Sequence, residues 1–93
     1  MDRFQEMKVL LAVTEAESFA GGAKLLGISP PSVTRAVAAL EARLGTLLLA
    51  RSTRSLRLTE AGQRYVEDCR RILLELEEAE ELAAGGSVRP RGR

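Results

Sequence analysis

Residues 29–44, which read S-P-P-S-V-T-R-A-V-A-A-L-E-A-R-L, constrain the fold more than any other stretch of the sequence. A serine followed by two prolines is typical of a helix start, because the first helical N–H groups have no intrahelical partner that a proline could remove. The aliphatic residues behind them recur at steps of four, three and four: Val33, Val37, Leu40 and Leu44. This spacing predicts a helix over 30–44 with one apolar stripe.

The opposite face of this helix carries one long cationic side chain, Arg35, among small groups. At 100° per residue its neighbours on that face are Pro31, Ala38 and Ala42, with Thr34 on the flank. The solvent face of an ordinary helix usually carries more charge. The pattern favours a helix that lies close against another surface, with Arg35 reaching into it.

The preceding residues predict a second helix joined to the first by a tight turn. Ser18 to Leu26 has helical character and is followed by Gly27, which reaches the left-handed conformation of a helix end without steric cost. Two helices joined by a short turn that contains glycine form a helix-turn-helix, whose second helix enters the major groove of DNA. A helical hairpin without DNA-binding function is the alternative.

Charge is distributed unevenly along a chain whose net charge is only +1. Residues 30–58 contain five arginines and one acid, Glu41, whereas residues 59–84 contain three arginines and eight acids. A basic segment therefore precedes an acidic helix, and the overall charge conceals this asymmetry.

The sequence excludes several classes of function. It has no histidine and one cysteine, so it offers no disulfide, no metal site and no acid–base or nucleophilic constellation, and no cofactor is expected. Gly22 to Ser29 fits the glycine spacing of a phosphate-binding loop, but Ile28 stands where that loop requires lysine. No signal peptide or membrane-spanning run is recognisable, which predicts a soluble cytoplasmic protein without a membrane partner.

Residues 47–58 predict a β-hairpin. Two short apolar runs flank the polar turn 52–55, and Arg51, Arg54 and Arg57 lie within seven residues. Beside a recognition helix, such a hairpin would be a wing that contacts the DNA backbone or minor groove. A solvated hairpin with no partner is the alternative.

A long helix over 59–84 is predicted to carry an apolar seam, and 85–93 a flexible tail. The seam residues are spaced four, three, four, three and four apart: Tyr65, Cys69, Ile72, Leu76, Ala79 and Ala83. A small winged domain cannot cover so long a seam, so a second copy of the helix is expected to cover it. The alternative is packing on the first helix of the same chain, which is expected for two turns only.

The motifs together resemble the N-terminal DNA-binding module of LysR-type transcriptional regulators. The matching stretches are S-F-A-G-G-A-K-L-L-G-I-S, P-P-S-V-T-R-A-V-A-A-L-E-A-R-L-G and L-L-A-R-S-T-R-S-L-R-L-T-E-A-G, all in register. The resemblance implies a mainly α fold: a winged helix-turn-helix over 1–58, with a two-stranded wing and a long dimerisation helix. It further implies binding of double-stranded DNA at a partly palindromic promoter site, near the nucleoid.

The resemblance also assigns roles to particular residues. It places a groove-reading set at the start of the recognition helix and a second set in the wing: Ser29, Pro30, Pro31, Ser32, Thr34 and Arg35, then Arg51, Thr53 and Arg54. Pro30 and Ala36 depart from the family pattern, which has Gln and a polar residue there, and both departures remove possible base contacts. Gly21 and Gly22 replace the usual alanines.

Family members form homodimers, or tetramers when full-length, and usually continue into an effector-binding domain. A small-molecule effector is therefore not expected to bind these 93 residues, which represent either a fragment of a longer regulator or a naturally short relative. The alternative function is a helical protein-interaction module that uses the acidic helix over 60–83.

Overall fold

The computed structural model describes residues 1–51 and 55–85, with the side chain of Arg51 left out. This part of the chain forms four helices and one two-stranded antiparallel sheet. The elements are α1 (Arg3–Ala16), α2 (Phe19–Leu26), α3 (Pro30–Leu44), β1 (Leu49–Arg51), β2 (Leu56–Leu58) and α4 (Glu60–Ala83). The order and types of these elements confirm the predicted mainly α winged helix-turn-helix.

Each helix begins at a polar residue whose side chain accepts a backbone N–H that the helix leaves without a partner. Asp2 and Gln5 form a complete capping box at the start of α1, with the Gln5 amide 2.8 Å from Asp2 Oδ1. Ser18, Ser29 and Thr59 cap α2, α3 and α4 in the same way, each through the amide three residues on. Local sequence therefore determines where each helix starts.

Left-handed residues end the first three helices: Glu17, Gly45 and Gly27, the last of which the sequence predicts. Gly27 has φ +69° and Gly45 has φ +71°, and no atom lies within 4 Å of the position of an added Cβ at either residue. Ile28 donates its amide to the Ala23 carbonyl across the turn, at 3.1 Å. This bond directs the chain from α2 into α3.

The core lies between α1, α2 and α3 and extends under the wing and the start of α4. It contains Leu10 and Val13 of α1, Leu48 before the wing, and the apolar stripe of α3 as far as Leu40. Leu44 departs from the prediction: it is 38% exposed, and it is the last residue of α3, after which the chain turns at Gly45.

Helices α1 and α2 pack closely because glycine lies at their contact. Gly22 and Ala23 are buried, and a Cβ added to Gly22 would come within 2.8 Å of Val13 Cγ2. An alanine pair at 21–22 would therefore require α2 to move away from α1. The glycines that weaken α2 as an isolated helix permit its close packing here.

The wing is a short hairpin in which Leu49 pairs with Leu58 and Arg51 pairs with Leu56. Leu49 is buried, and Leu56 and Leu58 are half-buried against the core. Arg57 lies between them and is exposed, as the alternation of a strand requires. The wing is thus attached to the core through one face and presents the other face outward.

Candidate nucleic-acid interface

The N-terminal half of α3 presents an exposed surface that contains most of the predicted groove-reading residues. Ser29, Pro30, Pro31, Thr34 and Arg35 are exposed, and Ser32 is half-buried. Pro31, Thr34 and Arg35 lie away from the buried Val33, Val37 and Leu40, and Ser29 and Pro30 are exposed because they stand at the helix start. The structure therefore brings these six predicted residues together at one end of one helix.

The three hydroxyl groups of this surface are already bonded to the helix itself. Ser29 Oγ accepts the Ser32 amide at 3.2 Å and lies 2.8 Å from Ser32 Oγ, and Thr34 Oγ1 donates to the Pro30 carbonyl at 3.2 Å. Each hydroxyl oxygen keeps further hydrogen-bonding capacity. Their first role, however, is to complete the start of α3.

Arg35 has the only long side chain among these six residues. Within residues 1–51 and 55–85, no acidic side chain forms an ion pair with it. Its guanidinium therefore remains available for a partner outside the chain. Ala38 and Ala42, one and two turns further along this face, are exposed and small enough to let a surface approach closely.

Ala36 does not belong to this surface. It is 4% exposed and packs in the core with Val33 and Val37. The expectation that alanine at this position removes a base contact is therefore corrected, because a side chain here faces the interior. Pro30, in contrast, is exposed where a glutamine would be able to reach outward.

The predicted wing contacts lie largely outside the described residues. Thr53 and Arg54 lie outside the described residues, and of Arg51 only its place in β1 is described. Arg57, the third arginine of the predicted wing, is exposed on the outward face of β2.

Two glutamates, Glu6 and Glu41, hold α3 in place, and neither role was predicted from the sequence. Glu6 of α1 is buried and pairs with Arg43 Nη2 at 2.5 Å, and this hydrogen bond raises the pKa of Arg43. Glu41 Oε2 accepts the amides of Leu48 and Leu49 at 2.8 and 3.1 Å. Neither contact has a sequence signature. Glu6 and Arg43 lie 37 residues apart in the chain, and Glu41 bonds to backbone amides, which every sequence offers.

The face of α4 that packs on the core is not centred on the predicted seam. Its buried residues are Gly62, Val66 and Cys69, a face centred about 60° from the seam at 100° per residue. Cys69 is fully buried within the chain, and Tyr65 is half-buried against the core. Cys69 is therefore removed from the predicted dimer face.

The remaining seam residues stay accessible along α4. Ile72 is 41% exposed, Leu76 is half-buried, and Ala79 and Ala83 are exposed. Packing of α4 on its own chain thus covers Tyr65 and Cys69, little more than one turn of the seam and within the two turns expected, and leaves Ile72, Ala79 and Ala83 exposed.

Cys69 is expected to be unreactive towards thiol reagents in the folded chain. Burial raises the pKa of this thiol, so little thiolate forms near neutral pH, and the sulfur has no exposed surface. Labelling with a maleimide at pH 7.5 should be slow until denaturant is added. The labelling rate of a monomeric variant shows whether Cys69 is buried by its own chain or by a second copy. If labelling becomes fast when a dimer is dissociated, the second copy buries Cys69.

Within the described ranges, no three His, Cys, Asp or Glu side chains are grouped closely enough to hold a metal ion. The same ranges contain no helix whose length and apolar character suit a membrane span.

Comparison with known proteins identifies the family. The sequence model of the bacterial regulatory helix-turn-helix proteins of the lysR family matches residues 4–63. The HTH-type transcriptional regulator TcbR of Pseudomonas sp. (strain P51) is 50% identical over 70 residues, which are 75% of this chain and 24% of that protein. The HTH-type transcriptional activator AaeR of Escherichia coli (strain K12) is 43% identical over 81 residues, which are 87% of this chain and 26% of AaeR.

Solved structures agree with this assignment. The structure of CbnR_DBD in complex with DNA superposes with a TM-score of 0.86 at 41% identity, over 94% of this chain and 99% of that one. The structure of CbnR, a LysR family transcriptional regulator, gives a TM-score of 0.84 at 43% identity, over 90% of this chain and 29% of that one.

The curated relatives are much longer than this chain, which spans about a quarter of their length. They are transcriptional regulators and not enzymes, in agreement with the absence of catalytic motifs from the sequence. The family match covers the helix-turn-helix, the wing and the start of α4. This chain belongs to the lysR family of bacterial regulatory helix-turn-helix proteins.

Proposed function

We propose that the chain binds a specific site on double-stranded DNA as a homodimer and serves as the DNA-binding part of a transcriptional regulator. The observation that carries this proposal is the exposed face of α3, where unpaired Arg35 stands among small side chains. The B-DNA major groove is about 12 Å wide and admits one helix of this kind.

In this arrangement the start of α3 lies in the major groove and Arg35 reads a base edge. A guanidinium can donate two parallel hydrogen bonds to O6 and N7 of guanine, the commonest specific contact between protein and DNA. Ser29, Ser32 and Thr34 are then positioned for phosphate oxygens through their remaining hydrogen-bonding capacity. Pro30 and Pro31 have no amide hydrogen and contribute shape and apolar contact only.

The wing, residues 47–58, would lie beside the adjacent minor groove. Arg54 is proposed to enter or border that groove, with Arg51 and Thr53 on flanking phosphates, because the minor groove is most negative where A·T tracts narrow it. Arg57 is exposed on the outward face of the same hairpin and adds positive charge there. The solved complexes of CbnR_DBD and CbnR with DNA support DNA binding by this fold.

Dimerisation is proposed through the uncovered part of the α4 seam. Ile72, Leu76, Ala79 and Ala83 form an apolar strip that the chain's own core leaves accessible, and Tyr65 borders it. Two recognition helices related by a two-fold axis would read half-sites that are one or more helical turns apart.

Replacement of Arg35 by alanine tests the central contact. Arg35→Ala should weaken specific binding by about 1–3 kcal/mol and relax the preference for one base pair, since a bidentate base contact is lost. Titration by electrophoretic mobility shift, against a site selected from genomic fragments, would measure both effects.

The matched control is Arg71→Ala, which removes the same side chain from the exposed surface of α4, where it pairs with Asp68 at 3.1 Å. It should lower affinity far less and leave base preference unchanged. If Arg35→Ala and Arg71→Ala behave alike, Arg35 contributes only charge.

The competing function, a protein-interaction module on α4, makes different demands on the chain. It needs the acidic helix but neither Arg35 nor the wing. Failure of the chain to retain any genomic fragment at physiological salt, together with an unchanged partner interaction in Arg35→Ala, would favour it. In this proposal the protein acts in the cytoplasm, at the nucleoid.

A further inference from the structure

The first residues of the wing are held from two sides. Residues 47–49, here called the wing root, connect the end of α3 to β1. From α3, Glu41 Oε2 accepts the Leu48 and Leu49 amides. From the start of α4, the Thr59 amide donates to the Leu48 carbonyl at 2.9 Å, and Thr59 Oγ1 donates to the Leu47 carbonyl at 2.7 Å.

The bonds from Glu41 determine where the wing starts relative to the recognition surface. Glu41 and Arg35 lie on the same helix, six residues or about 9 Å apart along its axis. A carboxylate that accepts two backbone amides forms charge-assisted bonds, which are roughly twice as strong as neutral ones. Glu41 is half-buried, and the Leu48 side chain beside it is fully buried, so these bonds are partly shielded from water.

The electrostatic cost of Glu41 indicates that it has such a role. It is the sole acid among residues 30–58, where five arginines lie. A carboxylate in a DNA-binding segment repels phosphates, so its charge alone opposes binding. The oxygen of this carboxylate that accepts the Leu48 and Leu49 amides supplies a compensating role, because it holds the wing that carries some of those arginines.

We propose that Glu41 is a positioning residue for DNA binding, which fixes the wing root on α3 so that the wing and Arg35 engage adjacent grooves together. This inference rests on the proposed function, because it assumes that the wing contacts DNA. It goes beyond that function by assigning a role in recognition to a residue that need not touch DNA.

Charge and positioning predict opposite results for Glu41→Ala. Loss of a negative charge alone should tighten binding. Loss of the acceptor should weaken binding, because the phosphate contacts of the wing are lost. The slope of log K against log[salt] should then become shallower by about one to two. Glu41→Gln separates the two effects, because its amide oxygen still accepts hydrogen bonds although the charge is gone. Glu41→Gln should therefore keep the salt slope of the parent and bind DNA more tightly than Glu41→Ala.

The control for general destabilisation is Glu6→Ala, which removes the other carboxylate that holds α3. Melting temperatures are measured for every variant, and binding is measured well below the lowest of them. Glu6→Ala should lower the melting temperature but keep the parent's salt slope. The proposal is overturned if Glu41→Ala binds as well as the parent, if Glu41→Gln loses as much as Glu41→Ala, or if Glu6→Ala flattens the slope equally.

Two further measurements distinguish failure of this inference from failure of the proposed function. Without DNA, amide hydrogen exchange at Leu48 and Leu49 should be faster in Glu41→Ala than in Glu41→Gln, and equal exchange overturns the anchoring. With DNA, Arg54→Ala should weaken DNA binding when it is introduced into the parent chain. Introduced into Glu41→Ala, it should cause little further loss of DNA affinity. If Arg54→Ala has no effect on the parent, the wing contact in the proposed function is wrong and the positioning role falls with it, whatever the exchange data show.

Discussion

Ile72→Asp is expected to give a folded monomer that loses most of its affinity for a paired DNA site. Ile72 is 41% exposed in the strip that we propose as the dimer interface, where a second copy would bury the new carboxylate without a partner. When two half-sites are no longer bound together, affinity for the paired site should fall by about 10²–10⁴-fold, while affinity for one half-site changes little. Analytical ultracentrifugation and titration of paired and single half-sites measure the two effects.

The fold should survive this substitution, because other residues attach α4 to the core. Val66 and Cys69 are the buried side chains of α4, and they lie about 120° and 60° around the helix from Ile72. Leu74→Asp is a matched control: Leu74 is 51% exposed and projects about 160° away around the helix, so its variant should remain dimeric. A parent chain that is monomeric at tens of micromolar would contradict the proposed interface.

The start of every helix was predictable because local chemistry determines it. Asp2, Ser18, Ser29 and Thr59 each satisfy a helix start within three residues, and Gly27 permits the turn before α3 at positive φ. These interactions are short in sequence and hardly depend on the rest of the fold. The position of Arg35 on an exposed face follows from the same helix and its apolar stripe.

The rotation of α4 was not predictable to the same degree. Its apolar residues include Leu73 and Leu74 as well as the seam, so periodicity alone allows several stripes that differ by tens of degrees. Which face of α4 turns inward depends on the shape of the surface that α1 and the wing root present to it. In the structure this face includes Cys69, which is buried. For the same reason the burial of Ala36 could not be derived from α3 alone.

The anchoring roles of Glu6 and Glu41 were also invisible in the sequence. A glutamate on a helix is ordinarily solvated, and nothing in its neighbours specifies that its carboxylate meets a distant arginine or a backbone amide. The pairing of Glu6 with Arg43 depends on how α1 crosses α3. Glu41 reaches the wing root only because the chain turns back after Gly45.

The wing root also explains why glycine stands at position 62, within one of the stretches that match the family. Gly62, in L-T-E-A-G, is buried in the first turn of α4. A Cβ added to it would overlap the carbonyl oxygen of Leu48 and would lie 3.1 Å from Leu58 Cδ2. That carbonyl is backbone and already accepts the Thr59 amide, so it cannot rotate away as a flexible side chain would.

Gly62→Ala is therefore expected to destabilise the chain by about 3 kcal/mol, through overpacking against backbone that has no room to move. Helix propensity acts in the opposite direction, since alanine in a helix interior is favoured over glycine by about 1 kcal/mol. Steric overlap should prevail because relief requires α4 to move away from the wing root and break the Thr59 bonds. Urea denaturation followed by circular dichroism measures the free energy of unfolding, with Gln63→Ala, at the exposed neighbouring position, as the control for propensity alone. A Gly62→Ala variant as stable as Gln63→Ala would mean that α4 does not pack directly on the Leu48 carbonyl.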